Sequence, residues 1–163
     1  MTHKLPPGPG PRDACNCGSL RKASRRMSQL YDLALAPSGL KCTQFAILAE
    51  LDRAGPRAHL SVRELAAAMV MDRSTLGHNL RPLQRERLLE LRPAPDDRRK
   101  RCIELTKDGR ITLRRARALW ADAESRFEKL FGKRPAARLR TILHGIATHE
   151  KFESLPGGGH VDR

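Results

Sequence analysis

Apolar positions along this 163-residue chain recur mostly at helical spacing, interrupted once by two short runs in which apolar and polar residues alternate. A first helix is predicted over about Asp13 to Leu35, with Leu20, Ala23, Met27, Leu30 and Ala34 on one face. Ala36-Pro37-Ser38-Gly39 ends it. A second helix, about Thr43 to Arg53, carries Phe45, Leu48 and Leu51 and stops at Gly55-Pro56. Ser61-Val62-Arg63-Glu64 has the form of a capping box, in which serine oxygen and glutamate carboxylate satisfy free amides at a helix start. The third helix it opens turns Leu65, Ala66 and Met69 inward, and Val70-Met71 reverses the chain. Asp72 then caps a fourth helix with Leu76, Leu80 and Leu83 on one face. Pro82 lies ten residues into that helix and removes the amide that would reach the His78 carbonyl. Either it kinks the Arg81–Arg87 end, or the helix simply tolerates it.

Leu89-Glu90-Leu91-Arg92 and Cys102-Ile103-Glu104-Leu105 alternate with period two, as half-buried strands do. Pro93-Ala94-Pro95-Asp96-Asp97 between them reads as the turn of a β-ribbon, and His59-Leu60 as a further short strand. Thr106 caps a long helix reaching about Phe131, with Ile111, Ala116, Leu119, Ala123, Phe127 and Leu130 in periodic positions. After Gly132-Lys133-Arg134, Pro135 suits the first turn of a last helix that holds Leu139, Ile142, Leu143 and Ile146. The fold class expected is mainly α with a small β-wing, a winged helix-turn-helix in the order α-α-α-α-β-β-α-α.

Residues 1–12, with four prolines, read as a disordered arm, 13–154 as one domain, and 155–163, with three consecutive glycines, as a flexible tail. Within the domain, about 41–106 are expected to form the winged-helix lobe. The helices at about 13–35 and 107–153 are long and amphipathic and need a partner for their apolar stripes, so they are expected to dimerise about a two-fold axis.

Lysine and arginine number 32 against 18 acidic residues, a net charge of +14, which favours a polyanionic partner. Charge alone does not separate nucleic acid from an anionic membrane. No apolar run approaches the ~20 residues that span a bilayer, and the N-terminus lacks a signal-peptide core, so a cytoplasmic protein without membrane association is expected. An aromatic share of 4% argues against stacking of single-stranded bases. No nucleophile–base–orienter set, carboxylate pair or phosphate-cradling glycine loop is visible, so no enzyme, cofactor or metal site is expected.

The exposed start of the fourth helix presents Arg73, Ser74, Thr75, Gly77 and His78, followed by Arg81. Arg, Ser and Thr suit base edges and phosphates in a major groove, free amides at a helix N-terminus attract phosphate, and Gly77 permits close approach. The ribbon tip holds Asp97, Arg98, Arg99, Lys100 and Arg101, and a narrow minor groove attracts arginine by its negative potential. Together they imply double-stranded DNA as partner. A solvated helix face is the alternative for the fourth helix taken alone, and non-specific architectural DNA binding is the alternative for the whole chain.

Gly39-Leu40-x-x-Thr43-Gln44-Phe45-x-Ile47-Leu48, Leu65-Ala66, Asp72-Arg73-Ser74-Thr75-Leu76 and Asp97-x-Arg99…Leu105-Thr106-x-x-Gly109, in this order, resemble the MarR family of transcription regulators over about Cys17 to Phe152. The resemblance implies a homodimeric winged helix that usually represses, binds a pseudo-palindromic operator, and releases it when a small molecule or oxidant acts. It implies Arg99 as the minor-groove residue, oriented by Asp97, and a pocket for aromatic effectors between the dimer helices and the DNA-reading lobe. Lys41 departs from the threonine the family often places before the second helix, which implies a weaker cap. Cys17, followed by Ala23-Ser24-Arg25 and Tyr31, is similar to the peroxide-sensing OhrR branch, although Arg21 and Cys42 replace tyrosines found there. Arg21, Lys22 and Arg25 near a helix start favour a thiolate. Cys17 is then a redox sensor with Cys42, across the dimer, as its resolving thiol and Tyr31 as a hydrogen-bond donor, or these thiols are idle or simply small buried residues. Cys15-x-Cys17 with His3 is a further metal-binding arrangement, lacking the second close pair of a structural zinc site. Cys102 reads as packing, Trp120 as core or dimer interface, and His144 and His149 as ordinary surface or packed histidines.

Overall fold

The computed structural model describes residue 10 and residues 15–55, 58–94 and 100–149. Among the described residues six α-helices and two strands follow in the expected order: α1 (Asn16–Leu35), α2 (Cys42–Ala54), α3 (Val62–Ala68), α4 (Arg73–Arg85), β1 (Leu89–Pro93), β2 (Arg101–Leu105), α5 (Lys107–Phe131) and α6 (Lys133–Thr148). A single 3-10 turn, Ala36–Ser38, closes α1, and Gly39 supplies the left-handed φ of +77° that redirects the chain.

Local chemistry accounts for most of the boundaries. Cys15 caps α1, its sulfur accepting from the Gly18 amide at 3.4 Å. At α3 both halves of the capping box form: the Ser61 amide donates to Glu64 at 2.8 Å, and the Glu64 amide to Ser61 Oγ at 3.2 Å. The Ser61 hydroxyl and amide together hold the Glu64 carboxyl below its ordinary range. At α2 the Lys41 side chain has no acceptor to offer. Gln44 Oε1 takes the Lys41 amide at 2.8 Å, and Asp32, reaching over from α1, takes the Cys42 amide at 2.7 Å. The missing local cap is thus replaced by a tertiary one. Helix α4 runs through Pro82 for one more turn and ends at Arg85.

The two strands pair antiparallel from Leu89↔Leu105 to Pro93↔Arg101. His59-Leu60 does not become a strand. It reaches β2 through a single bridge, Ser61↔Cys102, and through the Ile103 amide donating to the Leu60 carbonyl at 2.8 Å. Only a short contact is made because the backbone turns left-handed at His59 (φ +44°), and ladder pairing needs extended residues on both sides.

The chain divides within α5 into two compact units. The first, up to Ala123, takes in α1 together with the predicted DNA-reading lobe. Its core joins Leu35, Leu40, Ile47 and Leu48 to Leu65, Leu76, Leu80 and Leu83, and then to Leu89, Ile103 and Leu113, all buried. Phe45 stacks on Trp120 with centroids 6.1 Å apart. On α1 the buried positions are Tyr31 and Leu35, whereas Leu20 and Ala23 of the predicted apolar face are exposed. In the second unit, from Glu124, Arg140 bridges Glu124 and Glu128 at 3.1 and 3.2 Å, and Phe127 packs on Phe131. Leu139, Ile142, Leu143 and Ile146 of α6 remain exposed.

Gly109 sets a hard limit in the first unit. A Cβ there would lie 1.9 Å from the Leu88 carbonyl oxygen, which also accepts the Thr106 amide. The obstacle is backbone and has no rotamer to escape into. Gly109→Ala should therefore destabilise the fold by about 1–3 kcal/mol or more, and thermal melting should show a midpoint lower by several degrees. An unchanged midpoint would refute the close approach.

Candidate nucleic-acid interface

Helix α4 is built around Asp72. Its carboxylate accepts the Thr75 amide at 2.8 Å, the Ser74 hydroxyl at 2.5 Å and the Thr75 hydroxyl at 2.6 Å. These donors, the Ser74 hydroxyl foremost, hold the carboxyl well below its usual range, so it is charged at any working pH. The cap changes what the helix start offers. Ser74 and Thr75 point their hydroxyl protons inward and present lone pairs outward, and the Thr75 amide goes to Asp72 rather than to a phosphate. Arg73, His78 and Arg81 are exposed along the same helix, whose other face buries Leu76, Leu80 and Leu83. Space around Gly77 is open: a Cβ there would meet nothing within 4 Å. Its lack of a side chain is therefore not required by the fold.

Two residues that the sequence pattern did not single out belong to this face. Arg85 is exposed in the last turn of α4. Asn79 donates to the Thr75 carbonyl at 2.8 Å and stiffens the first turns. A run of polar residues at i+4 is too common to have marked it.

The ribbon extends from the same core, through Leu89 and Ile103. The Ala94 amide donates to the Lys100 carbonyl at 2.9 Å and closes the ribbon below its tip. Lys100 and Arg101 are exposed. Asp97, Arg98 and Arg99 lie outside the described residues. The ribbon base carries its own ion pairs, Arg92 to Glu90 at 2.7 Å and to Glu104 at 3.8 Å.

The predicted redox residues are not brought together within one chain. Cys17 is exposed in the first turn of α1, Tyr31 is buried fourteen residues further on, and Cys42 is half-buried at the start of α2 beside Asp32. At 1.5 Å per residue, Cys17 lies about 21 Å along the helix from Tyr31. Its distance to Cys42 is then roughly 15 Å or more, against the ~7 Å limit on Cα separation for a disulfide. A Tyr31 hydrogen bond to Cys17, or a Cys17–Cys42 bond, needs a second protomer. All four cysteines are free. His3 lies outside the described residues, so its grouping with Cys15 and Cys17 does too.

A cleft of about 580 Å³ opens between α1, the start of α2 and α4, lined by Asp32, Lys41 and Cys42 on one side and His78, Arg81 and Arg85 on the other. Its cations suit an anionic ligand. Among the described residues no helix is long and apolar enough to cross a membrane.

A model of the MarR family matches residues 38–100, from the turn before α2 to the ribbon. The HTH-type transcriptional repressor NicR of Pseudomonas putida is 34% identical over 94 residues, an alignment spanning 58% of this chain and 58% of that protein. The transcriptional regulator MosR of M. tuberculosis, solved in complex with DNA, is 34% identical with a TM-score of 0.70, over 82% of this chain and 93% of that one. The transcriptional repressor CouR, solved bound to a 23-mer DNA duplex, is 30% identical with a TM-score of 0.76, over 85% and 96%. With its helix order, capped α4 and two-stranded wing, the chain belongs to the MarR family of winged-helix transcriptional regulators.

Proposed function

We propose that this protein is a sequence-specific repressor that binds a pseudo-palindromic operator as a homodimer and releases it when an anionic small molecule or an oxidant acts. The observation that carries this reading is the pairing, on one core, of an exposed cationic helix face with a two-stranded ribbon on which Lys100 and Arg101 are exposed, next in sequence to Arg98 and Arg99. Arg73, His78 and Arg81 read the major groove, with Ser74 and Thr75 as acceptors, and Arg99 enters the minor groove with Asp97 orienting it. Dimerisation is supported by exposed apolar residues on two helices, Leu20 and Leu33 on α1 and Leu139, Ile142, Leu143 and Ile146 on α6. MosR and CouR with bound DNA support the duplex partner, and CouR has also been solved with p-coumaroyl-CoA, an aromatic thioester carrying phosphates. The cleft beside Lys41, Arg81 and Arg85 is the proposed effector site, because occupying it would compete with α4 for its own arginines. Duplex DNA as partner also supports a cytoplasmic location.

Operator binding separates this from the non-specific alternative. At moderate salt, excess random duplex should fail to compete, since phosphate contacts alone weaken steeply with salt. Arg99→Ala should cost about 1–3 kcal/mol of operator affinity, whereas Lys100→Ala should mainly reduce the salt slope by about one. Gly77→Ala should leave thermal stability equal or raised by up to ~1 kcal/mol yet weaken operator binding. Equal affinity for operator and random DNA, or wild-type affinity in Arg99→Ala, would overturn the reading.

Sensing by Cys17 carries its own test. Stoichiometric peroxide should produce a disulfide-linked dimer on non-reducing gels, lost in Cys17→Ser and in Cys42→Ser, together with operator release. Release that persists unchanged in Cys17→Ser removes the redox role and leaves the cleft as the control point.

A further inference from the structure

The base of the ribbon holds a constellation that no linear motif announces. Cys102 and Glu104 are two residues apart on β2 and so share one face. The Ser61↔Cys102 bridge and the Leu60–Ile103 hydrogen bond lay the preceding loop along the edge of β2 away from β1. His59 is thereby set opposite Glu104, with its backbone in the left-handed region at φ +44°. One ligand atom from each of His59, Cys102 and Glu104 lies within 4.8 Å of the others. His59 Nδ1 is buried and makes no hydrogen bond, and Glu104 Oε1 stands 3.5 Å from it. Cys102 is 1% exposed, while His59 and Glu104 side chains are about one-third exposed and border a cavity of about 620 Å³.

We infer that His59 Nδ1, Cys102 Sγ and the Glu104 carboxylate form a binding site for a thiophilic divalent cation, zinc being the natural occupant. A thiolate, an imidazole and a carboxylate are the three ligand types zinc takes, and the cavity leaves the fourth position to water. The charges close: one divalent cation against one thiolate and one carboxylate. Zinc bonds of about 2.0–2.3 Å place tetrahedral ligands roughly 3.3–3.8 Å apart, so the set must contract by about 1 Å. His59 and Glu104 have the freedom to do so. On binding, the Cys102 S–H bond breaks, its proton leaves to solvent, and the sulfur's contact with the Arg92 carbonyl, now 3.4 Å, gives way to the S–metal bond. Arg92, 3.8 Å from Glu104, keeps Glu90 as its closer partner at 2.7 Å. A buried imidazole nitrogen without a hydrogen bond costs stability, and a cation at this position would give it a partner.

The test reads metal directly, without DNA, so it stands apart from the repressor reading. Reduced, chelator-treated full-length protein is titrated with Co²⁺, and thiolate-to-cobalt charge transfer and tetrahedral ligand-field bands are recorded. Zn²⁺ is then added as a competitor. One equivalent per chain should bind, the bands should vanish with zinc, and they should persist in the Cys15→Ser/Cys17→Ser/Cys42→Ser variant. Cys102→Ser should abolish the charge-transfer band. His59→Ala and Glu104→Gln, at partly exposed positions, should weaken binding at least tenfold while circular dichroism shows the wild-type fold. No thiolate band in the wild type, a band that follows Cys15 or Cys17, or wild-type affinity in both His59→Ala and Glu104→Gln would overturn the inference.

Discussion

The Leu88 carbonyl oxygen is where the DNA-reading elements are tied to the long helix. It accepts the Thr106 amide at 3.2 Å, lies 3.3 Å from the Thr106 hydroxyl oxygen, and presses on the backbone of Gly109 so closely that no side chain fits. Thr106 also donates to the Arg87 carbonyl at 2.7 Å and accepts the Gly109 amide at 2.9 Å. Four backbone segments converge there: the end of α4, the start of β1, the end of β2 and the first turn of α5. Hydrogen bonds of this kind contribute modestly one by one. Their effect here is geometric, because they leave the ribbon and α4 little freedom to pivot about α5. A regulator that must hold two contact surfaces in register with a duplex depends on that rigidity.

A second consequence of local chemistry concerns how α4 meets its ligand. Asp72 draws three donors onto its carboxylate and keeps a negative charge at the very end of the helix that faces DNA. In the proposed interface this takes Ser74 and Thr75 out of the donors and leaves recognition to the exposed guanidinium groups of Arg73 and Arg81. A side chain that organises a helix terminus and one that donates to a nucleic acid draw on the same hydroxyls, and capping has the first claim because it is intramolecular. Arg81 also lines the neighbouring cleft, so in the proposed mechanism an anion bound there and the duplex would draw on the same charge.

The apolar surface divides in two. Leu76, Leu80, Leu83, Leu89 and Ile103 disappear into a core that one chain closes by itself, whereas the α6 row and Leu33 stay exposed. Exposed apolar rows on long helices are an unfinished burial, and a second copy finishes it at the least cost in new sequence. The proposed Cys17–Cys42 disulfide would need the same second copy, since the length of α1 separates the two thiols within one chain.

Period and punctuation in the sequence determined nearly all of the element order. The capping box at Ser61–Glu64, the cap at Asp72 and Thr106 before α5 are satisfied by residues two or three apart, and the alternation on either side of the ribbon closes over one short turn. Signals of that range do not depend on the rest of the chain, which is why they were legible. What spans the fold was not: Asp32 capping α2 from another helix, Leu88 against Gly109, Leu113 in the core, and His59 brought to Cys102 and Glu104 across more than forty positions. Those contacts exist only once strands and helices have been packed. Packing decides them through distances that no spacing along the chain encodes.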